Sequence, residues 1–324
     1  MQTSGFSFIS VIRSLAQLVR LPNVLIIILT QVLLRYCIIK QYLFPGMQDA
    51  VSPLPDFLLL VLLTVLIAVG GYIINDYFDV KIDRVNRPDR LVVNRLIRAN
   101  TAIKLHMLLN GIAILLGFYL SWRIKVLSFG LIFPFISGLL WIYSARYKRV
   151  FFWGNFIVAA LSAFVILVVW LFEFFWLRMN AMLFTSVIAE IRWVTIIFIG
   201  YALFAFLVSL VREIFKDMED AEGDALADCR TLPISLGIRN SKFICGGILL
   251  VTLVLLVYSQ AILFLHNFYA VSWYFVFTVE PLTIFLLYKL FTAENKKEFH
   301  FLSSLCKLIM LAGILSMLVI FISN

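Results

Sequence analysis

Two short stretches concentrate the groups that could do chemistry. The first reads Asn75-Asp76-Tyr77-Phe78-Asp79-Val80-Lys81-Ile82-Asp83, and the second reads Asp217-Met218-Glu219-Asp220-Ala221-Glu222-Gly223-Asp224. The aspartates follow one pattern, DxxDxxxD, both times: Asp76, Asp79 and Asp83, then Asp217, Asp220 and Asp224. On a helix these offsets bring the three side chains onto one face, so each stretch is a stripe of carboxylates. Acids this close repel one another unless something neutralises them. Hard divalent cations do so through oxygen ligands, and Mg2+ typically shares one or two carboxylates with substrate phosphates. Neither stripe contains His or Cys, which favours Mg2+ over zinc or copper. Two such stripes are expected to hold metal ions that bridge a diphosphate. The alternative is a pair of solvated acidic helix ends. A single cluster would suit that reading, but the repeated spacing argues against it.

Cations are interleaved with the acids. Lys81, Arg84, Arg87 and Arg90 follow the first cluster, and Arg212 and Lys216 precede the second. Arg212, Lys216 and Asp220 recur every four residues and so share a helix face. A diphosphate needs direct cationic donors besides metal. Lys148, Arg212 and Lys216 are the candidates, because each sits at the end of an apolar span. Arg84, Arg95, Arg98 and Arg149 are assigned to the general cationic bias described below.

The elements that must position these groups follow from composition. Of the 324 residues, 63% are hydrophobic and 14% charged, and the mean hydropathy is +1.03. A soluble domain has about 25% charged residues, so this composition excludes a water-soluble enzyme and a disordered chain. Residues 1–20 lack an apolar core followed by a small-residue cleavage site, so no secretory signal is expected. The apolar runs are continuous rather than alternating, which excludes a β-barrel. Nine spans are predicted near 22–39, 57–75, 102–120, 126–143, 155–172, 192–211, 243–265, 271–291 and 301–322. They leave no room for a separate soluble domain, so residues 1–324 are expected to form one all-α, polytopic membrane domain. Most of the 27 Lys and Arg fall at the N-terminus and in 76–104, 144–154, 212–242 and 289–300. By the positive-inside bias these segments, and both acidic stripes with them, face the cytoplasm. The net charge of +9 is explained by this asymmetry, and no nucleic-acid partner is expected.

Other reactive residues are less suggestive. Cys37, Cys229, Cys245 and Cys306 are scattered without CxxC spacing, so neither zinc nor a disulfide framework is expected. His106, His266 and His300 lie far apart and read as structural or interfacial. Glu280, inside span 8 and followed by Pro281, is an intramembrane acid and hence a functional candidate; the proline permits a local opening of the helix. Lys307 is expected to snorkel.

With these residues in view, the chain resembles the UbiA superfamily of intramembrane prenyltransferases. Three segments carry the resemblance: NDYFDVKIDRVNRPDR at 75–90, YSARYKRVFFWGN at 143–155, and REIFKDMEDAEGD with TLPISLG at 212–237. It implies nine membrane helices around a central cavity, two cytoplasmic aspartate motifs, Mg2+, and an isoprenyl diphosphate donor. It also implies that Asn75 belongs to the first motif, that Lys148 contacts the diphosphate, that Tyr143 and Arg90 flank the substrate, and that Asn23, in RLPNV, faces the cavity. The segment KDMEDAEGD with TLPI looks closest to the branch that includes digeranylgeranylglyceryl phosphate synthases.

The implied reaction is transfer of a polyprenyl group to a membrane-associated acceptor. The leading acceptor is a glycerol-phosphate ether lipid precursor; an aromatic acid of quinone biosynthesis is the alternative. The sequence departs from the family after Arg90 (Leu91-Val92-Val93-Asn94) and before Thr231 (Asp228-Cys229-Arg230), where acceptor contacts are expected. Two further classes were weighed. A transporter or cation channel would carry ionisable residues through the membrane centre, which the spans mostly lack. A non-catalytic assembly factor would have no need of two intact aspartate triads. The expected location is a multi-pass membrane protein, in the cell inner membrane if bacterial.

Overall fold

The computed structural model describes residues 16–43, 51–86, 92–93 and 97–323. Among these, nine helices are long and apolar enough to cross a membrane. They are α1 (Leu21–Leu43), α2 (Leu54–Asn86), α3 (Ala99–Arg123), α4 (Leu127–Ala145), α5 (Trp153–Leu177), α6 (Ile188–Leu226), α7 (Leu232–Leu265), α8 (Tyr269–Thr292) and α9 (Lys296–Ile322). The described residues contain no strand beyond one isolated bridge between Val93 and Ile97. The protein is an all-α, multi-pass membrane protein.

Two helices outrun the bilayer. α2 has 33 residues and α6 has 39. At about 1.5 Å per residue these are about 50 and 60 Å long, against a hydrocarbon core of about 30 Å. The surplus turns carry the two aspartate motifs, so the stripes are helical, as their spacing predicts.

The chain divides into two compact units. The first holds the chain up to Ile28 together with Leu54–Tyr147, and the second holds Leu29–Pro53 and Lys148–Asn324. In the first, α2 packs along α3 and α4. α3 and α4 approach closely because Gly117 has no side chain: a Cβ there would lie 2.2 Å from the Phe133 ring. His106 is buried and its Nδ1 lies 2.8 Å from the Gly70 carbonyl, which ties α3 to α2 and gives this histidine the structural role expected of it. Leu18, Ile73, Val80, Val92, Val93 and Ala102 form an apolar cluster around the acidic end of α2.

In the second unit α6 is the central helix, packed against α5, α7 and α9. Three departures from regular helix occur here. α1 widens into a π-helical turn at Leu34–Ile39 and α8 into another at Phe275–Val279. The second lies immediately before Glu280 and Pro281, the opening anticipated from the proline: the Glu280 N–H bonds back to the Phe275 carbonyl. α7 breaks at Gly237, whose φ of +82° suits a residue without Cβ. The stretch from Leu232 to Leu236, preceded by Thr231 as its cap, is thereby a short helix of its own, with Pro233 in its first turn.

A buried polar cluster anchors α1 to α5. The Arg35 and Glu173 side chains are 2% and 1% exposed. Arg35 Nη1 donates to Ser52 Oγ at 2.8 Å. Ser52 in turn donates from Oγ to Glu173 Oε2 at 2.7 Å and from its backbone N–H to Oε1 at 2.9 Å. The segment leading into α2 is thus held by both side chains.

Candidate active site

The first stripe lies on the last turns of α2. Asn75 Nδ2 donates to Asp79 Oδ2 at 2.7 Å, one helical turn on. Asp79 is buried, while Asp76 and Asp83 are partly exposed. Asp76 Oδ1 accepts from Arg20 Nη2 at 2.8 Å. The Arg20 guanidinium also lies over the Tyr72 ring, 4.9 Å from its centroid. Burial works against the charge of Arg20, but Asp76, Tyr72 and Asp79 outweigh it and raise its pKa above the ordinary arginine range. Arg20 ends the turn before α1 with a φ of +51°. Asn23 sits on the next turn, its N–H bonded to the Arg20 carbonyl at 2.8 Å.

The second stripe lies on the last turns of α6. Asp217 Oδ2 accepts from Asn155 Nδ2 at 2.7 Å. Asn155 belongs to the first turn of α5, so the bond ties α6 to α5. Asp224 is buried, and Asp217 and Asp220 are half-buried. Glu213, 7% exposed, accepts from Arg212 Nη1 at 2.6 Å and from Lys216 Nζ at 2.7 Å. The two expected phosphate donors are therefore held on one acid. Glu219 meets His300 Nδ1 at 3.1 Å, which fastens α9 to this end of α6.

Lys148 lies in a single 3-10 turn, Tyr147–Arg149. The Arg149 carbonyl accepts from the Arg230 N–H at 2.9 Å, and the Asp224 carbonyl accepts from the Cys229 N–H at 3.0 Å. Within the second unit, the Lys148 turn and the C-terminal end of the aspartate stripe are thus joined through residues 229–230. Tyr143 is buried near the end of α4. Arg90 lies outside the described residues. Sequence reasoning missed Arg20, Asn155 and Glu213. Arg20 opens the RLPNV segment and Asn155 closes YSARYKRVFFWGN, so each adjoined a motif already in view.

An amide is neutral. It orients a carboxylate without cancelling its charge, whereas a salt bridge does both. Asn75 on Asp79 and Asn155 on Asp217 are the same device, used once in each stripe. Among the described residues no three His, Cys, Asp or Glu side chains group closely enough to hold a metal by themselves. The acids of the stripes offer oxygen alone, and two of them are fixed by amides. This donor set fits a hard cation that takes its remaining ligands from phosphate or water.

A multi-pass helical membrane protein with a carboxylate stripe on each of two overlong helices is the class the structure defines. The chain belongs to the UbiA prenyltransferase family, whose pattern matches residues 46–305. A digeranylgeranylglyceryl phosphate synthase from Thermococcus sibiricus is 34% identical over 191 residues, which span 59% of this chain and 60% of that protein's length. The fold is similar to a solved structure of digeranylgeranylglyceryl phosphate synthase, with TM-score 0.64 and 23% identity over 97% of this chain and 99% of that one. It is also similar to a UbiA homologue from Archaeoglobus fulgidus, solved bound to DMAPP and Mg2+, with TM-score 0.57 and 15% identity over 92% of this chain and 98% of that one.

Proposed function

We infer that this protein transfers a polyprenyl group from an isoprenyl diphosphate to a glycerol-phosphate ether lipid precursor, with Mg2+, at the cytoplasmic membrane surface. The observation that carries the reading is the paired amide device: Asn75 orients Asp79 at 2.7 Å and Asn155 orients Asp217 at 2.7 Å. The digeranylgeranylglyceryl phosphate synthase relatives support the choice of acceptor. The metal-bound Archaeoglobus homologue supports the choice of cation, and the Lys and Arg bias of the loops supports the orientation.

In this reading Asp76, Asp79 and Asp83 on α2 would hold Mg2+ for the donor diphosphate, and so would Asp217, Asp220 and Asp224 on α6. When bound, the metal supplies electrostatic stabilisation of the departing diphosphate. Lys148, Arg212 and Lys216 donate hydrogen bonds to its oxygens. Glu213 keeps the last two extended toward the same end of α6. Asn23 and Tyr143 flank the donor. The allylic C–O bond breaks with its electron pair leaving on the diphosphate, whose growing negative charge Lys148, Arg212 and Lys216 stabilise. The acceptor hydroxyl oxygen forms the new bond to the same carbon, and its proton passes to a carboxylate or to the diphosphate.

The test is product formation. Purified protein is incubated with geranylgeranyl diphosphate, Mg2+ and a panel of acceptors that includes a prenylated glycerol phosphate and an aromatic acid. The expected outcome is a doubly prenylated glycerol phosphate as the main product. Prenylation of the aromatic acid alone would overturn the choice of acceptor, and no product with any acceptor would overturn the enzyme reading.

A further inference from the structure

The opposite end of the first unit carries a second basic site. Asp56, near the start of α2, and Asp76, in the acidic stripe, lie on one helix about 30 Å apart along its axis at about 1.5 Å per residue. That is the thickness of a hydrocarbon core, so Asp56 marks the other membrane interface. There, Ser121, Trp122, Arg123, Lys125 and Leu127 line a cavity of about 500 Å³ where α3 gives way to α4. Arg123 Nη2 donates to Asp56 Oδ2 at 3.0 Å. The pair cancels the Asp56 charge and pins the guanidinium at the cavity wall. Lys125 is exposed, and its backbone adopts φ +55°, a conformation that costs a non-glycine residue free energy and that turns often keep for function. Its ammonium leaves the cavity with one net positive charge.

The rim has a different character. Trp122 and Leu127 are 70% and 69% exposed, and the exposed Tyr119 lies against Trp122, with ring centroids 6.1 Å apart. Aromatic side chains at this depth sit at the boundary between headgroups and acyl chains. A cavity lined by two cations and by exposed apolar side chains matches a molecule with an anionic head and hydrocarbon tails. A free anion would contact the cations and leave Trp122 and Leu127 without a partner.

We propose that this cavity binds the phosphodiester headgroup of an anionic membrane lipid in the leaflet opposite the active site, with Lys125 as its main cationic contact, Arg123 beside it, and Trp122 and Leu127 against the upper acyl chains. The site is independent of the prenyl-transfer reading and draws on none of its residues.

The test uses the purified full chain in detergent. Bound lipid is counted by native mass spectrometry, and melting temperature is followed, as phosphatidylglycerol, phosphatidylcholine or inorganic phosphate is added. Phosphatidylglycerol is expected to bind and to raise the melting temperature, while the other two do not. Lys125→Ala is expected to weaken phosphatidylglycerol binding about tenfold, the loss of one charge-assisted hydrogen bond. Lys40→Ala, a change at another basic residue on the same side of the membrane, is expected to bind like wild type. Equal binding by Lys125→Ala and wild type would overturn the proposal. So would an equal response to inorganic phosphate, or an equal loss in Lys40→Ala.

Discussion

Asn155 and Asn75 do the same work from different places. One reaches its aspartate from the first turn of another helix, and the other reaches it from four residues away on its own helix. An aspartate held by an amide loses its freedom to swing, which suits a metal ligand. Removing a partner of this kind from a metal site typically costs about 10- to 100-fold. Asn155→Ala is therefore expected to lower prenyl transfer by about that factor and to raise the Mg2+ concentration needed for half-maximal rate, while the helical circular dichroism stays unchanged. A wild-type Mg2+ dependence in this variant would show that Asp217 is not positioned for metal. At this scale the sequence was informative about the acids and less so about what holds them. DxxDxxxD spacing is local, so the stripes were legible. The contacts of Asp217 with Asn155 and of Asp76 with Arg20 join residues more than fifty positions apart, and no local pattern reports such a pairing. Lys216 and Arg212 were legible as cations. That both rest on Glu213 follows only from the rotamers the packed helix allows.

The helices explain why the stripes can exist at all. α2 and α6 are long enough to cross the bilayer and still present two further turns beyond it, so the aspartates sit on rigid helix rather than on loops. Hydropathy made the nine spans legible, because every backbone group in hydrocarbon must be satisfied within a helix. The irregularities were harder to read. The π-helical turn of α8 was foreshadowed by Pro281, which cannot donate to the preceding turn. The one in α1 had no proline to announce it. There, Arg35 enters a buried cluster with Ser52 and Glu173, and the wider turn is where that side chain leaves the helix. Glu173 was not singled out in the sequence, because it falls at the edge of a span and its partners come from a distant segment. Removing one member of a buried ion pair leaves the other uncompensated and typically costs about 3–5 kcal/mol. Glu173→Ala is accordingly expected to lower the melting temperature sharply in detergent, with Arg35→Met/Glu173→Leu less damaging than Glu173→Ala alone. If the single and double variants melt together at the wild-type temperature, the cluster is not a structural anchor.

Across the whole molecule, chemistry and anchorage are segregated. The acids of both stripes lie at the ends of α2 and α6, and the cationic cavity of the first unit lies at the other end of α2. Within the first unit, the Asp76 stripe and the cavity beside Asp56 lie at opposite ends of α2, about 30 Å apart along its axis. The proposed orientation, drawn from the Lys and Arg bias, is tested by labelling single cysteines in sealed vesicles. A cysteine at position 222 is expected to react only with reagent admitted to the cytoplasmic side, and one at position 125 only with reagent on the far side. The composition made the membrane class legible at once. The two-unit organisation was not legible, because the hydrophobic pattern along the chain does not change at Ile28 or at Tyr147.

The proposed function turns on each carboxylate stripe binding the donor diphosphate through Mg2+. Calorimetric titration of the purified protein with a non-hydrolysable geranylgeranyl thiodiphosphate, with Mg2+ and with excess chelator, tests it without requiring turnover or an acceptor. The account predicts binding that needs Mg2+ and that falls at least about 100-fold, some 2.7 kcal/mol, in Asp76→Ala and in Asp217→Ala alike. Binding of equal strength in chelator, or in both variants, would contradict it.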